Sequence, residues 1–251
     1  MDDDLPDAIP AATLILMRPA PAGGPPEILM LERAETMAFA AGALVFPGGR
    51  IDHEDEAMAK CFPGLPDAAA RIAAIRETIE ETGVAPAIRP AADAAALREA
   101  MAAGRPFALL LEEMGLSLDL SALTPFARWC PNFREARRFD TLFYLAEAPE
   151  GGNGRHSADE TESVHTFWAS AGQVLAEIEA GRAKAIFPTR RNLERLARFA
   201  SLAQARADAG LHPVEKITPW VEERGGRRFV CIPEGIGYPV TAEPYESARR
   251  R

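Results

Sequence analysis

The chain has 251 residues and a mass of 27.1 kDa, enough for one large domain or two small ones. Its 47% hydrophobic and 26% charged content is that of an ordinary globular protein and excludes a collagen-like, coiled-coil or wholly disordered chain. A net charge of −9 argues against nucleic acid or an anionic membrane as a partner, so an anionic substrate needs a local attractor, for which a metal ion is the usual device. Residues 1–10 read as a solvated tail whose acidic start is unlike a basic signal peptide. Residues 11–18 and 28–31 are compact apolar runs, predicted as two strands of a hairpin around the Pro- and Gly-rich turn at 19–26. A short strand at 43–46 then runs into a backbone break at Pro47-Gly48-Gly49.

A helix is predicted over 67–82, with Asp67 placed to cap or favour its positive end and Gly83 where it stops. Alanine-rich helical stretches follow near 92–103 and 107–114. Strands at 139–146 and 164–168 lead to a helix around 171–180, and a further amphipathic helix is expected over 189–207. Gly225-Gly226 signals a hairpin between 217–222 and 228–232. The organisation expected is one α/β domain over 11–251, with a helical insertion at about 85–125 and a C-terminal hairpin unit at 213–240. No run reaches the roughly 18 apolar residues of a membrane span. Cys61, Cys130 and Cys231 form no CxxC pair, which suits a reducing, cytoplasmic setting.

The most informative segment runs from Arg76 to Val84. Glu77, Glu80 and Glu81 occupy i, i+3 and i+4 and so share one side of the helix, while Ile72, Ile75 and Ile79 lie roughly opposite. Three carboxylates on one face repel one another, and local helix energetics do not reward the arrangement. A solvated acidic face would explain three glutamates alone. A hard divalent cation explains them together with the glycines upstream, because Mg2+ favours carboxylate oxygens and substrate phosphates, and glycine permits close backbone approach.

Gly49, the acidic cluster Asp52, Glu54, Asp55 and Glu56, and then Arg76-Glu77-x-x-Glu80-Glu81-x-Gly83-Val84 resemble the Nudix box of the Nudix hydrolases. That pattern is G, five residues, E, seven residues, then REUxEExGU with U bulky and aliphatic. Here Thr78 replaces an aliphatic residue, Asp55 stands where the first Glu belongs, and about twenty residues separate it from Arg76. An insertion of about thirteen residues, spanning Cys61-Phe62-Pro63-Gly64-Leu65-Pro66, accounts for the difference. Such interrupted boxes resemble the subgroup of peroxisomal coenzyme A diphosphatases. Phe39-Ala40-Ala41-Gly42-Ala43-Leu44-Val45-Phe46-Pro47-Gly48-Gly49, Arg138-Phe139-Asp140-Thr141-Leu142-Phe143-Tyr144 and Phe187-Pro188-Thr189 are similar to it as well.

The resemblance implies an α/β/α sandwich with a mixed sheet and a metal-dependent pyrophosphohydrolase acting on a small-molecule diphosphate. Coenzyme A or acyl-CoA is favoured, with ADP-ribose and NADH-like dinucleotides open, and a non-catalytic binding or regulatory module as the reading from another class. It assigns Mg2+ or Mn2+ to Glu77, Glu80, Glu81 and the Gly49 carbonyl, and makes Arg76 the organiser of the box carboxylates. Asp55 is expected as the partner of Arg76, with Glu54 and Glu56 as rivals. Glu162 is chosen as an additional loop acid, with Glu160 the alternative, and either Glu77 or Glu162 would take a proton from water. Gly48, Gly49, Arg137 and Arg138 are candidate substrate contacts, the last two with Arg134 in a basic cluster that is otherwise solvated charge. Trp129 and Trp168 read as core residues sooner than as stacking platforms. His53, His156, His165 and His212 show no ligand spacing, and oligomeric state, a homodimer included, is left open.

Overall fold

A computed structural model describes residues 7–33, 42–131, 138–150 and 165–248. In chain order the elements are β1 (Ile9–Arg18), β2 (Glu27–Glu32), β3 (Leu44–Val45), β4 (Gly48–Arg50), α1 (His53–Ala59), α2 (Ala68–Thr82), β5 (Ile88–Arg89), α3 (Ala94–Ala102), α4 (Phe107–Glu113), β6 (Ser117–Leu118) and β7 (Thr124–Trp129). Then come β8 (Phe139–Glu147), β9 (His165–Ser170), α5 (Ala171–Glu179), α6 (Phe187–Leu196), α7 (Leu202–Leu211), β10 (Lys216–Ile217), β11 (Trp220–Arg224), β12 (Arg227–Cys231), β13 (Ala242–Pro244) and α8 (Tyr245–Ala248).

An eight-stranded mixed sheet runs β10-β7-β8-β1-β2-β3, with β4 added to β1 and β9 to β2. Strand β1 pairs in parallel with β8 from Ile9↔Phe139 to Met17↔Glu147, and antiparallel with β2 and β4. The near-continuous apolar run of β1 follows from burial on both faces. Ala12, Leu14 and Leu16 join the core with α2, α3 and α4, whereas Ile15 and Met17 join the core with α5, α6 and α7. The architecture is therefore the α/β/α sandwich, with helices on both faces of the sheet. No helix among the described residues is long and apolar enough to cross a membrane.

Several expected boundaries move, each for a local reason. The strand begins at Ile9 rather than at 11, because the Ile9 N–H donates to the Arg138 carbonyl at 2.8 Å and draws the supposed tail into the sheet. Residues 53–59 form α1, a helix absent from the sequence expectation. This helix buries one side chain, Asp55, and so carries no apolar period to read. Asp67 stands at the N-cap position of α2, but its side chain makes no cap hydrogen bond and accepts instead from Arg71 Nε at 2.9 Å and from the Tyr144 hydroxyl at 3.0 Å. The single helix expected at 189–207 is two, α6 and α7, since the Ser201 side chain accepts from Gln204 N and starts a new helix. Ile217 leaves the hairpin for β10, beside Trp129 of the main sheet, and Pro219 separates it from β11. Residues 85–125 hold α3 and α4 as expected, together with the β5–β6 ribbon and the start of β7, a strand the sequence reading missed.

Candidate active site

The apolar side of α2 determines where its charges go. Ile72, Ile75 and Ile79 are wholly buried against the sheet, and this turns Glu77 and Glu81 toward β4. Thr78, the departure from an aliphatic residue, is also wholly buried, and its hydroxyl donates to the Ala74 carbonyl at 2.7 Å, so no polar group is stranded. Gly83 ends the helix at φ 66°, donating its N–H to the Ile79 carbonyl.

The glycine pair lies in β4, not in a turn, and its lack of side chains lets the strand and helix meet. A Cβ on Gly48 would stand 2.4 Å from the Ala12 carbonyl oxygen, and one on Gly49 would stand 2.4 Å from the Glu77 carboxyl group. Gly48 N–H donates to Glu81 Oε2 at 2.9 Å.

Arg76 organises the remaining acids. Its Nε and Nη2 donate to the two oxygens of Asp55 at 3.0 and 2.9 Å, Nη1 reaches Glu77 at 3.0 Å and Glu80 at 3.2 Å, and Nη2 also donates to the Arg50 carbonyl at 3.0 Å. Asp55 is fully buried and also accepts from Asp52 N at 2.9 Å, whereas Glu54 and Glu56 are exposed. Of the three acids that sequence left open, Asp55 is the one paired with Arg76.

Burial alone would lower the pKa of Arg76, but the hydrogen bond to Asp55 and the charges of Glu77, Asp55 and Glu80 raise it, so the guanidinium stays charged. Burial pushes Glu77 and Glu80 above the usual carboxylate range despite the opposing charge of Arg76. Glu81 is pushed up to about 8, chiefly by burial and then by Glu77, with the Gly48 N–H and the charge of Arg33 opposing. One arginine thus faces more carboxylate charge than it can neutralise.

Among the described residues no three acidic, histidine or cysteine side chains are gathered closely enough to enclose a metal ion as they are placed. The carboxylates rest on Arg76 and on the Gly48 N–H instead. The chemistry of the set still suits a hard divalent cation: the ligating atoms on offer are carboxylate oxygens, and a cation would relieve the cost that raises all three glutamate pKa values.

The other residues singled out by sequence fall in different places. Arg138 precedes β8 and is half-buried, and its Nε is buried without a hydrogen-bond partner among the described residues. Arg134, Arg137, Glu160, Glu162, His156 and Phe39-Ala40-Ala41 lie outside the described residues. Trp129 is a core residue that donates to the Tyr238 hydroxyl at 3.0 Å. Trp168 packs half-buried on the α2 side, with the Arg18 guanidinium 4.2 Å over its ring. His53 is exposed beside Glu56, His212 meets the Asp208 carbonyl and His165 stacks on Phe167. Sequence reasoning missed two cations near α2: Arg33, whose charge acts on Glu81, and Arg98, whose Nε donates to the Glu80 carbonyl at 2.9 Å. Neither belongs to a spacing pattern that marks it.

No family model matches the chain. It is similar to the crystal structure of a NUDIX hydrolase from Alicyclobacillus acidocaldarius, with 30% identity and a TM-score of 0.70 over 80% of this chain and 96% of that one. It is also similar to the human acyl-coenzyme A diphosphatase NUDT19, at 27% identity over 81% of this chain and 69% of that protein.

Proposed function

Because the chain belongs to the Nudix hydrolase family, enzymes that act on pyrophosphate bonds, we propose that it is a metal-dependent diphosphatase of coenzyme A or acyl-CoA. The observation that carries the metal reading is the set of Glu77, Glu80 and Glu81 on one side of α2, with Glu77 and Glu81 against β4 and all three held above the usual carboxylate range. The coenzyme A preference is supported by the likeness to the human acyl-coenzyme A diphosphatase.

In this reading Glu77, Glu80 and Glu81, with the Gly49 carbonyl, hold Mg2+ or Mn2+. Bound there, the cation would polarise the diphosphate and lower the pKa of the attacking water. Arg76 spaces the carboxylates and is itself fixed through Asp55. Gly48 N–H restrains Glu81, so that one oxygen is already oriented before any ligand enters. Glu77, or the loop acid Glu162, accepts the proton of the attacking water. Arg138, with Arg137, supplies positive charge to the substrate. The net charge of −9 supports a small-molecule diphosphate over nucleic acid or an anionic membrane as partner, and the cysteine usage supports a reducing, cytoplasmic setting.

The test is a substrate panel of coenzyme A, an acyl-CoA, ADP-ribose and NADH, each with Mg2+, with Mn2+ and with EDTA. The expected result is metal-dependent release of phosphorylated fragments, fastest from the coenzyme A compounds. Equal rates in EDTA after metal-free preparation overturn the metal dependence, and a preference for ADP-ribose or NADH overturns the substrate assignment.

A further inference from the structure

The C-terminal end of α2 is a poor place for a polyanion to arrive. The helix dipole presents its negative end there, and Glu80 and Glu81 lie in the last turn. Arg76 is fully engaged by Asp55, Glu77, Glu80 and the Arg50 carbonyl. Arg98, carried by α3, differs. Its Nε is fixed on the Glu80 carbonyl, which is left over at the helix end because the N–H of Val84 donates instead to Thr82 Oγ1 at 3.1 Å. Its Nη1 and Nη2 make no hydrogen bond or ion pair among the described residues. The side chain is half-buried and passes close to Gly83, where a Cβ would lie 3.5 Å from Arg98 Cδ.

We propose that Arg98 is a substrate-recognition residue that binds phosphate oxygens of the diphosphate substrate through Nη1 and Nη2. The planar fork of a guanidinium matches two phosphate oxygens at once. The bond from Nε to Glu80 already restricts the side chain, so little further ordering is needed on binding. Its charge also offsets the negative end of the helix for an incoming anion. The inference rests on the diphosphatase reading above, and it extends that site to α3.

The experiment uses the full chain and the variants Arg98→Gln and Arg98→Lys, with coenzyme A and dephospho-coenzyme A as substrates at saturating Mg2+. Arg98→Gln is expected to raise KM about tenfold while kcat stays within about twofold, and Arg98→Lys to recover part of the loss. A rise confined to coenzyme A places the contact on its additional phosphate, and an equal rise places it on the diphosphate; either upholds the assignment. Unchanged KM for both substrates, whatever happens to the melting temperature, makes Arg98 a helix cap only and overturns it. So does a fall in kcat at constant KM. If the wild-type chain cleaves neither substrate, the diphosphatase reading has failed. Calorimetric binding of adenosine 3′,5′-bisphosphate then decides the role of Arg98 separately, since equal affinity for wild type and Arg98→Gln overturns it and weaker binding to the variant upholds it.

Discussion

Replacing Glu81 by Gln should make the metal-free protein more stable while removing its activity. Glu81 is held at about 8 against an ordinary 4.5, chiefly by burial. The folded chain therefore keeps a proton that the unfolded chain releases, and stability falls as pH rises from about 4.5 toward 8. At about 1.4 kcal/mol per pH unit, this costs the folded state roughly 3 kcal/mol at pH 7, reduced to roughly 1–3 kcal/mol by partial solvent access. Glutamine keeps an oxygen for the Gly48 N–H and carries no charge, so Glu81→Gln should melt roughly 3–8 °C higher in EDTA at pH 7. The assay is a series of thermal melts of both chains in EDTA from pH 5 to 9. The wild-type melting temperature should fall across this range until about pH 8, and the variant should show a weaker slope. Added Mg2+ should raise the wild type far more than the variant. A wild-type curve flat between pH 5 and 8, or a variant no more stable than wild type at pH 8, would refute the reasoning.

Gly49→Ala places a methyl group on the Glu77 carboxyl; kcat should fall roughly 100-fold with circular dichroism unchanged, as expected when a reacting group is displaced by about 1 Å. Arg71→Ala removes donors from the Leu120 and Leu123 carbonyls and from Asp67, and should cost about 2–4 kcal/mol in chemical denaturation. Shortening the turn segment at 60–66, which lies beyond the helix that carries Asp55, should preserve metal-dependent cleavage and change the order of preferred substrates. Loss of all activity in a folded deletion variant would show that this segment itself serves the chemistry.

Strands β1 and β2 and helix α2 were legible because each announces itself in the chain: apolar runs around a Pro/Gly turn, and an isoleucine face ended by Gly83. Helix α1 was not, because the residue it buries is the charged Asp55, which belongs to the site and not to an apolar stripe. Strand β7 was obscured by Pro125 and by the irregular pairing between Pro125 and Ala127. The break between α6 and α7 has no Gly or Pro to mark it and depends on the Ser201 cap. In the site, the glutamate face could be read from spacing and family resemblance, which offered Asp55 as the partner of Arg76 beside the rivals Glu54 and Glu56; burial of Asp55 in the fold decided among them. The close approach of Glu77 to Gly49 depends on a strand–helix contact, and Arg98 comes from a separate helix with no fixed offset from the box. Both are products of tertiary packing, on which local pattern is silent.

The central claim is that Glu77, Glu80 and Glu81 hold a divalent cation, and direct metal binding tests it without reference to turnover. Mn2+ titrated into metal-free protein and followed by electron paramagnetic resonance should be taken up stoichiometrically by the wild type. Uptake should strengthen as pH rises toward 8 and be lost when all three glutamates are glutamine. Equal uptake by a folded triple variant would contradict the account.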